Sequence, residues 1–273
     1  MPTSKVNGIQ LYWEINGEAG DPMVLVHGSW GDHQNWVPVV PALARSFRVL
    51  TYDRRGHSRS ERPAGQGSVH DDVTDLGALL EQLQHSPAHV IGNSFGASIV
   101  LRLAAERADL FRTLIVHEPP LFGLLTGESN AKDALAVVQE RISAVVSLLT
   151  AGDCREGARK FVETIAFGPG AWQKLPDLVR ETFVFNAPTW LDEVRDLEAL
   201  EISLSGLRGF AAPALLTIGD QSPPFFPLVM DRVAAVVPQA KMRTYAGAGH
   251  VPHLSHPEKY VQVVTEFIGE CAV

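Results

Sequence analysis

Two hydrophobic rhythms alternate along most of this chain. Short, nearly continuous apolar runs at 47–52, 88–91, 113–116, 214–218 and 241–245 are bounded by turn residues and read as buried strands. Between them, apolar residues recur at helical spacing over 36–44, 71–83, 95–106, 228–236 and 257–268. Two further extended runs, 9–15 and 23–27, open the chain and are separated by the turn-rich Asn16-Gly17-Glu18-Ala19-Gly20-Asp21-Pro22. Strands alternating with helices predict an α/β fold, a mostly parallel sheet with helices on both faces. The rhythm breaks between 121 and 212, where helical patterns near 131–149, 155–166, 172–185 and 189–200 follow one another without a strand. Helices inserted into an α/β sheet are most simply a cap over the carboxyl edge of the strands. The expected organisation is therefore a core of 1–120 and 213–273 with a cap of 121–212. The cap is rich in aromatics (Phe161, Phe167, Trp172, Phe183, Phe185, Trp190), most of them expected to form its own core and some to face a pocket.

Composition narrows the field. With 273 residues, 45% of them hydrophobic, the chain can bury a large core. Its net charge is −8, and Arg54-Arg55 is the only basic cluster, which argues against nucleic acid or an anionic membrane as partner. Met1-Pro2-Thr3-Ser4-Lys5 begins no apolar signal region and no apolar run reaches spanning length, so a cytoplasmic location is expected. Cys154 and Cys271 are far apart and lack metal-ligand spacing; they read as incidental thiols. Nothing in the pattern separates a monomer from a homodimer.

Gly92-Asn93-Ser94-Phe95-Gly96 carries the strongest chemical signal. It joins the strand-like His89-Val90-Ile91 to the helical Ala97–Ala105, and a G-x-S-x-G at such a junction thrusts its serine out of a sharp turn. A serine hydroxyl needs a base within hydrogen-bond reach, and the base needs an orienting acid. Of ten histidines, His250 is the candidate base, because Gly247-Ala248-Gly249 gives it a flexible approach from a late strand. Two carboxylates compete as the acid: Asp220, preferred, at the end of 215–219 and before a turn, and Glu118, the alternative, at the end of the preceding strand. The oxyanion requires preorganised donors. The Phe95 amide comes with the elbow, and the second is expected from His27-Gly28-Ser29-Trp30-Gly31, with Ser29 first and Trp30 as alternative. His27 and the turn Asp53-Arg54-Arg55-Gly56-His57-Ser58 read as structural supports.

With these segments in this order, the chain resembles the α/β-hydrolase superfamily in its capped, single-domain form, over nearly all of its length outside the cap. The resemblance implies an eight-stranded sheet, a triad of Ser94, His250 and Asp220, and an oxyanion loop at His27-Gly28. Ser94 separates the chain from the dehalogenase and epoxide hydrolase branches, which use aspartate at the elbow. The elbow is similar to that of hydrolases cleaving carbon–carbon bonds of ring-fission products, but Val251 stands where a tryptophan usually follows their histidine. Glu118 is similar in position to the triad glutamate of zearalenone-degrading lactone hydrolases. The expected activity is hydrolysis of an ester or lactone of a small, largely hydrophobic substrate through an acyl-enzyme, without metal or organic cofactor, and rising with pH as the histidine base becomes neutral. The alternatives are carbon–carbon bond hydrolysis and a non-catalytic binder of a hydrophobic ligand on the same fold.

Overall fold

The computed structural model describes residues 2–271; residues 1, 272 and 273, which the expected core range includes, lie outside them. Eight strands, β1 (Thr3–Val6), β2 (Ile9–Asn16), β3 (Asp21–Val26), β4 (Phe47–Tyr52), β5 (Ala88–Asn93), β6 (Phe111–His117), β7 (Ala214–Gly219) and β8 (Lys241–Tyr245), form one sheet in the order β1-β2-β4-β3-β5-β6-β7-β8. The pairs β1–β2 and β2–β4 are antiparallel, and all others are parallel. The eight-stranded, mostly parallel sheet is the one expected. The first strand was not among the runs read from the sequence. It is a short hairpin edge closed by Asn7-Gly8, both with positive φ (46° and 88°), the backbone that an Asn-Gly turn supplies.

Among the described residues the ten α-helices are α1 (Val40–Leu43), α2 (Val69–Gln82), α3 (Phe95–Glu106), α4 (Lys132–Thr150), α5 (Cys154–Phe161), α6 (Ala171–Lys174), α7 (Asp177–Arg195), α8 (Phe225–Ala234), α9 (Pro252–Ser255) and α10 (Pro257–Cys271). Strand alternation divides the core into two layers. Val24, Val26, Val90, Leu114, Val116 and Leu216 point to the face covered by α2, α3 and α8. Their neighbours Met23, Leu25, Ile91, Ile115 and Leu215 point to the face covered by α1 and α10. Burial on both faces explains why these strands read as continuous apolar runs rather than alternating ones.

Between β6 and β7 the described chain is helical wherever it is regular, as expected, but two boundaries differ. The stretch 155–166 is α5 followed by a π-helical turn at Val162–Ala166. The two helices expected on either side of Pro188 are one helix, α7, running through the proline. Proline removes one backbone donor and usually ends a helix. Here the buried stripe Phe183, Ala187, Trp190 continues at helical spacing across it, and Phe183 and Trp190 pack on Trp30, so tertiary packing overrides the local break. Among the described residues no helix is long and apolar enough to cross a membrane.

Candidate active site

The site gathers at the carboxyl ends of β3, β5 and β6 and in the loop after β8. Ser94 follows β5 with φ 56° and ψ −125°, a conformation that costs of order 1–3 kcal/mol and is held only by its surroundings. The flanking glycines are part of that restraint. A Cβ on Gly92 would stand 2.5 Å from the Gly96 carbonyl oxygen, and one on Gly96 would stand 2.2 Å from that of Val26. The turn thus packs backbone against backbone, and its Ser94 amide donates to the His117 carbonyl at 2.9 Å. Ser94 lines a cavity of about 490 Å³ that His250 lines as well.

Glu118 is the carboxylate that meets His250. Its Oε2 lies 2.7 Å from His250 Nδ1, and its Oε1 accepts the Gly219 amide at 2.7 Å. The carboxylate is fully buried. Burial alone would raise its pKa; the His250 bond, the electrostatic pull of the neighbouring His117 and His250 rings and the Gly219 amide outweigh it and hold Glu118 below the usual carboxylate range. Asp220, the acid preferred from the sequence, does not pair with the imidazole. It is exposed, and its Oδ1 accepts the Gly247 amide at 2.8 Å and the Gln221 side-chain amide at 3.1 Å. The difference is one of backbone direction. Glu118 has φ 46°, which turns the chain sharply as it leaves β6 and sends the side chain inward. Asp220 leaves β7 into a surface turn.

The rest of the imidazole is also restrained. Phe226 stacks on the His250 ring at 4.8 Å, and Asn93 Nδ2 donates to the His250 carbonyl at 2.9 Å. No hydrogen bond joins Ser94 Oγ to His250 Nε2 among the described residues; bonds of this kind often tighten only when a ligand fills the site. Behind His250, burial pushes His117 down to about 4 and His253 down to about 3, so both are neutral at pH 7.

The loop after β3 runs beside the elbow. His27 is structural in its contacts: Nδ1 lies 2.8 Å from the Gly28 carbonyl, Nε2 accepts the Arg54 amide, and burial lowers its pKa to about 3. Among the described residues neither the Ser29 nor the Phe95 amide is taken up by a protein acceptor. Trp30 has φ 68° and stacks on Phe161 at 4.6 Å, joining the loop to the inserted helices.

A buried charge network beneath these two segments was not legible in the sequence. Arg54 donates to Asp72 through Nε and Nη2 at 3.1 and 2.9 Å, to Glu193 of α7 at 2.8 Å and to the Gly28 carbonyl at 3.3 Å. Its guanidinium lies 4.6 Å from the Phe95 ring centroid. The second Glu193 oxygen accepts a short hydrogen bond from Ser29 Oγ. Burial raises the Glu193 pKa despite Arg54. The turn at Arg54 was expected to brace the site, but nothing local marks Glu193, which becomes a partner only when α7 folds over the sheet.

Two clusters bring three potential metal-ligand atoms together, His117–Glu118–His250 and Asp32–His33–Asp53. In each, ligand atoms are already committed to one another, as in the 2.6 Å contact of His33 Nδ1 with Asp53 Oδ1. Cys154 and Cys271 are free.

Residues 23–263 match the model of the alpha/beta hydrolase family. The chain belongs to that family. Zearalenone hydrolase of Bionectria ochroleuca is 30% identical over 281 residues, covering 96% of this chain and 95% of that protein. An uncharacterized hydrolase, YraK of Bacillus subtilis, is 37% identical over 129 residues, and this match spans only 46% of either sequence. The enol-lactonase of Burkholderia xenovorans LB400 superposes with a TM-score of 0.79 at 22% identity, over 98% of this chain and all of that one, a likeness of fold. The eight-stranded, mostly parallel sheet is thus that of an alpha/beta hydrolase, and hydrolysis is the chemistry to which the family points.

Proposed function

We propose that this hydrolase cleaves a carboxylic ester or lactone of a largely hydrophobic substrate through an acyl-enzyme on Ser94. The observation that carries the reading is the 2.7 Å contact between His250 Nδ1 and the buried, ionised Glu118, with Ser94 on the same cavity. A carboxylate on Nδ1 fixes the tautomer in which Nε2 is the unprotonated nitrogen, the form a general base requires. Ser94 Oγ bonds to the substrate carbonyl carbon while its proton passes to His250 Nε2 and the carbonyl electrons move onto oxygen. The Ser29 and Phe95 amides are suited to receive that oxyanion, the latter at the N-terminus of α3 where the helix dipole adds to it. Collapse of the tetrahedral intermediate breaks the carbon–oxygen bond, and the proton on His250 leaves with the alcohol. Water, deprotonated by His250, then attacks the acyl-enzyme and releases the acid; in a lactone the alcohol remains tethered. The inserted helices act as a cap supplying the apolar wall of the pocket. Asp220 holds the loop carrying His250 through the Gly247 amide and takes no part in proton transfer.

Hydrolysis of p-nitrophenyl butyrate by wild type, Ser94→Ala, Glu118→Gln and Asp220→Asn tests this. Ser94→Ala should abolish turnover, and Glu118→Gln should lower kcat by about 10³–10⁴-fold through loss of the correct tautomer. Asp220→Asn should change it by less than about tenfold. A larger loss in Asp220→Asn than in Glu118→Gln would reverse the assignment.

A further inference from the structure

Beyond the bond that is cleaved, the cavity bears on the charge of what enters it, an inference that rests on the reading of Ser94 and His250 just given. Among the described residues lining its 490 Å³, none is Lys or Arg, and the ionisable carboxylic acids are Asp32 and Glu193. Arg54, a buried cation against the cavity-lining Phe95 and Glu193, is already shared between Asp72 and Glu193, so that group of three carries one excess negative charge when ionised. Asp32 accepts from the Gln34 amide and the Ser58 hydroxyl and has no arginine or lysine partner. Burial raises both Asp32 and Glu193 above the usual carboxylate range, a mark of a site where added negative charge is costly. The remaining wall is largely apolar, from Phe225 and Phe226 on the core side to Ile142, Phe161 and Val179 on the inserted helices. Four large apolar side chains that stay substantially exposed, Val37, Phe167, Leu178 and Leu254, all line this same cavity. They extend the apolar wall outward to its solvent-facing rim.

We infer that the cavity selects esters or lactones that are uncharged throughout the part it encloses, and rejects those bearing a carboxylate or phosphate there. A substrate anion would lose water and meet amides and hydroxyls but no counter-ion, and an unpaired buried charge is far costlier than an unpaired dipole. The chain's overall charge of −8 opposes its approach as well.

The test uses two esters with the same leaving group and chain length, p-nitrophenyl octanoate and mono-p-nitrophenyl suberate, whose far end is a carboxylate at pH 7. The neutral ester should exceed the anionic one in kcat/KM by about 100-fold or more. Thr182→Lys, which introduces a cation at a partly exposed position on the cavity wall, should narrow that ratio by about tenfold by favouring the anion. Charge selection is overturned if the wild-type ratio lies within about threefold of unity, or if Thr182→Lys leaves the ratio unchanged, since simple hydrophobicity would then account for it. Calorimetric titration of folded Ser94→Ala with ethyl octanoate and monoethyl suberate reads the same preference without turnover. If wild type hydrolyses neither ester, the acyl-enzyme reading fails; tighter binding of the neutral ester, with Thr182→Lys in the Ser94→Ala background strengthening the anion, still supports charge selection, and equal binding overturns it.

Discussion

Lowering the pH from 7 to 5 should destabilise this protein severely, because it buries neutral imidazoles. His27 and His253 are held down to about 3 and His117 to about 4, each chiefly by burial, against about 6.5 in an unfolded chain. For a group whose folded pKa is depressed, stability is fully present above the unfolded pKa and is lost as pH falls toward the folded one, since only the unfolded chain takes up the proton. Between pH 6.5 and 5 each histidine therefore removes about 1.36 kcal/mol per pH unit, or about 2 kcal/mol, and the three together about 6 kcal/mol. His57, His85 and His89, also lowered by burial, add to this loss, while Glu193 and Asp32, raised by burial, act in the opposite sense, so about 6 kcal/mol is the share of these three imidazoles alone. A loss of that size is comparable with the whole stability of many domains, about 5–15 kcal/mol. Guanidinium unfolding followed by circular dichroism at pH 7, 6 and 5 reads it as a falling midpoint. His253→Phe, which keeps a ring against Trp36 and Tyr260 but cannot titrate, should recover about 2 kcal/mol of the loss between pH 6.5 and 5. A midpoint constant from pH 7 to 5 would refute the argument, as would a His253→Phe variant with the wild-type slope.

The buried network gives a second expectation: Glu193→Ala leaves the Arg54–Asp72 pair intact but removes the acceptor of Ser29 Oγ and one partner of Arg54, and should cost about 1–3 kcal/mol, read as a lower thermal midpoint. Glu193→Gln keeps an acceptor for Ser29 and should retain more activity than Glu193→Ala, a split visible in kcat. Gly28→Ala would place a Cβ 2.9 Å from Ser94 Cβ and 3.1 Å from the Asn93 carbonyl oxygen, so kcat should fall by about 10²-fold with little change in the far-ultraviolet spectrum. Replacing Pro188 by Ala restores a backbone donor inside α7 and should raise the thermal midpoint by a few degrees, corresponding to about 1 kcal/mol.

What could be read from the sequence was what local pattern encodes. The buried strands 47–52, 88–91 and 214–218 announce themselves as apolar runs because both faces of the sheet are covered, and the elbow announces itself because its glycines are needed within five residues of one another. The short edge strand Thr3–Val6 gave no such run, since half its residues face water. Pro188 misled for a related reason: its local cost is fixed by the chain, but the stripe of Phe183, Ala187 and Trp190 that carries α7 across it gains its energy from contacts with Trp30, more than 150 residues away. Glu193 lay beyond any sequence signal, because its partners Arg54 and Ser29 are set by how α7 lies over the sheet.

The choice between Glu118 and Asp220 shows where such reading stops. Both stand just past a strand end on neighbouring parallel strands, and topology alone brings both near the loop that bears His250. What separates them is a turn of backbone and one amide. Positive φ at Glu118 directs its longer side chain under the sheet edge, where the Gly219 amide at the end of β7 binds one oxygen and leaves the other for His250. That same Gly219 packs against the loop, with no room for a Cβ beside the Ala248 carbonyl, so Asp220 emerges on the outer side and finds the Gly247 amide instead. The two acids thus meet the same loop at different points: Asp220 accepts from the Gly247 amide, and Glu118 meets the His250 ring. Because a loop anchored only by an exposed carboxylate is worth little in free energy, Asp220→Ala should leave stability almost unchanged while increasing hydrogen exchange in 246–250, whereas Glu118→Ala should unfold the protein at lower denaturant by leaving the Gly219 amide buried and unpaired, at about 1–3 kcal/mol.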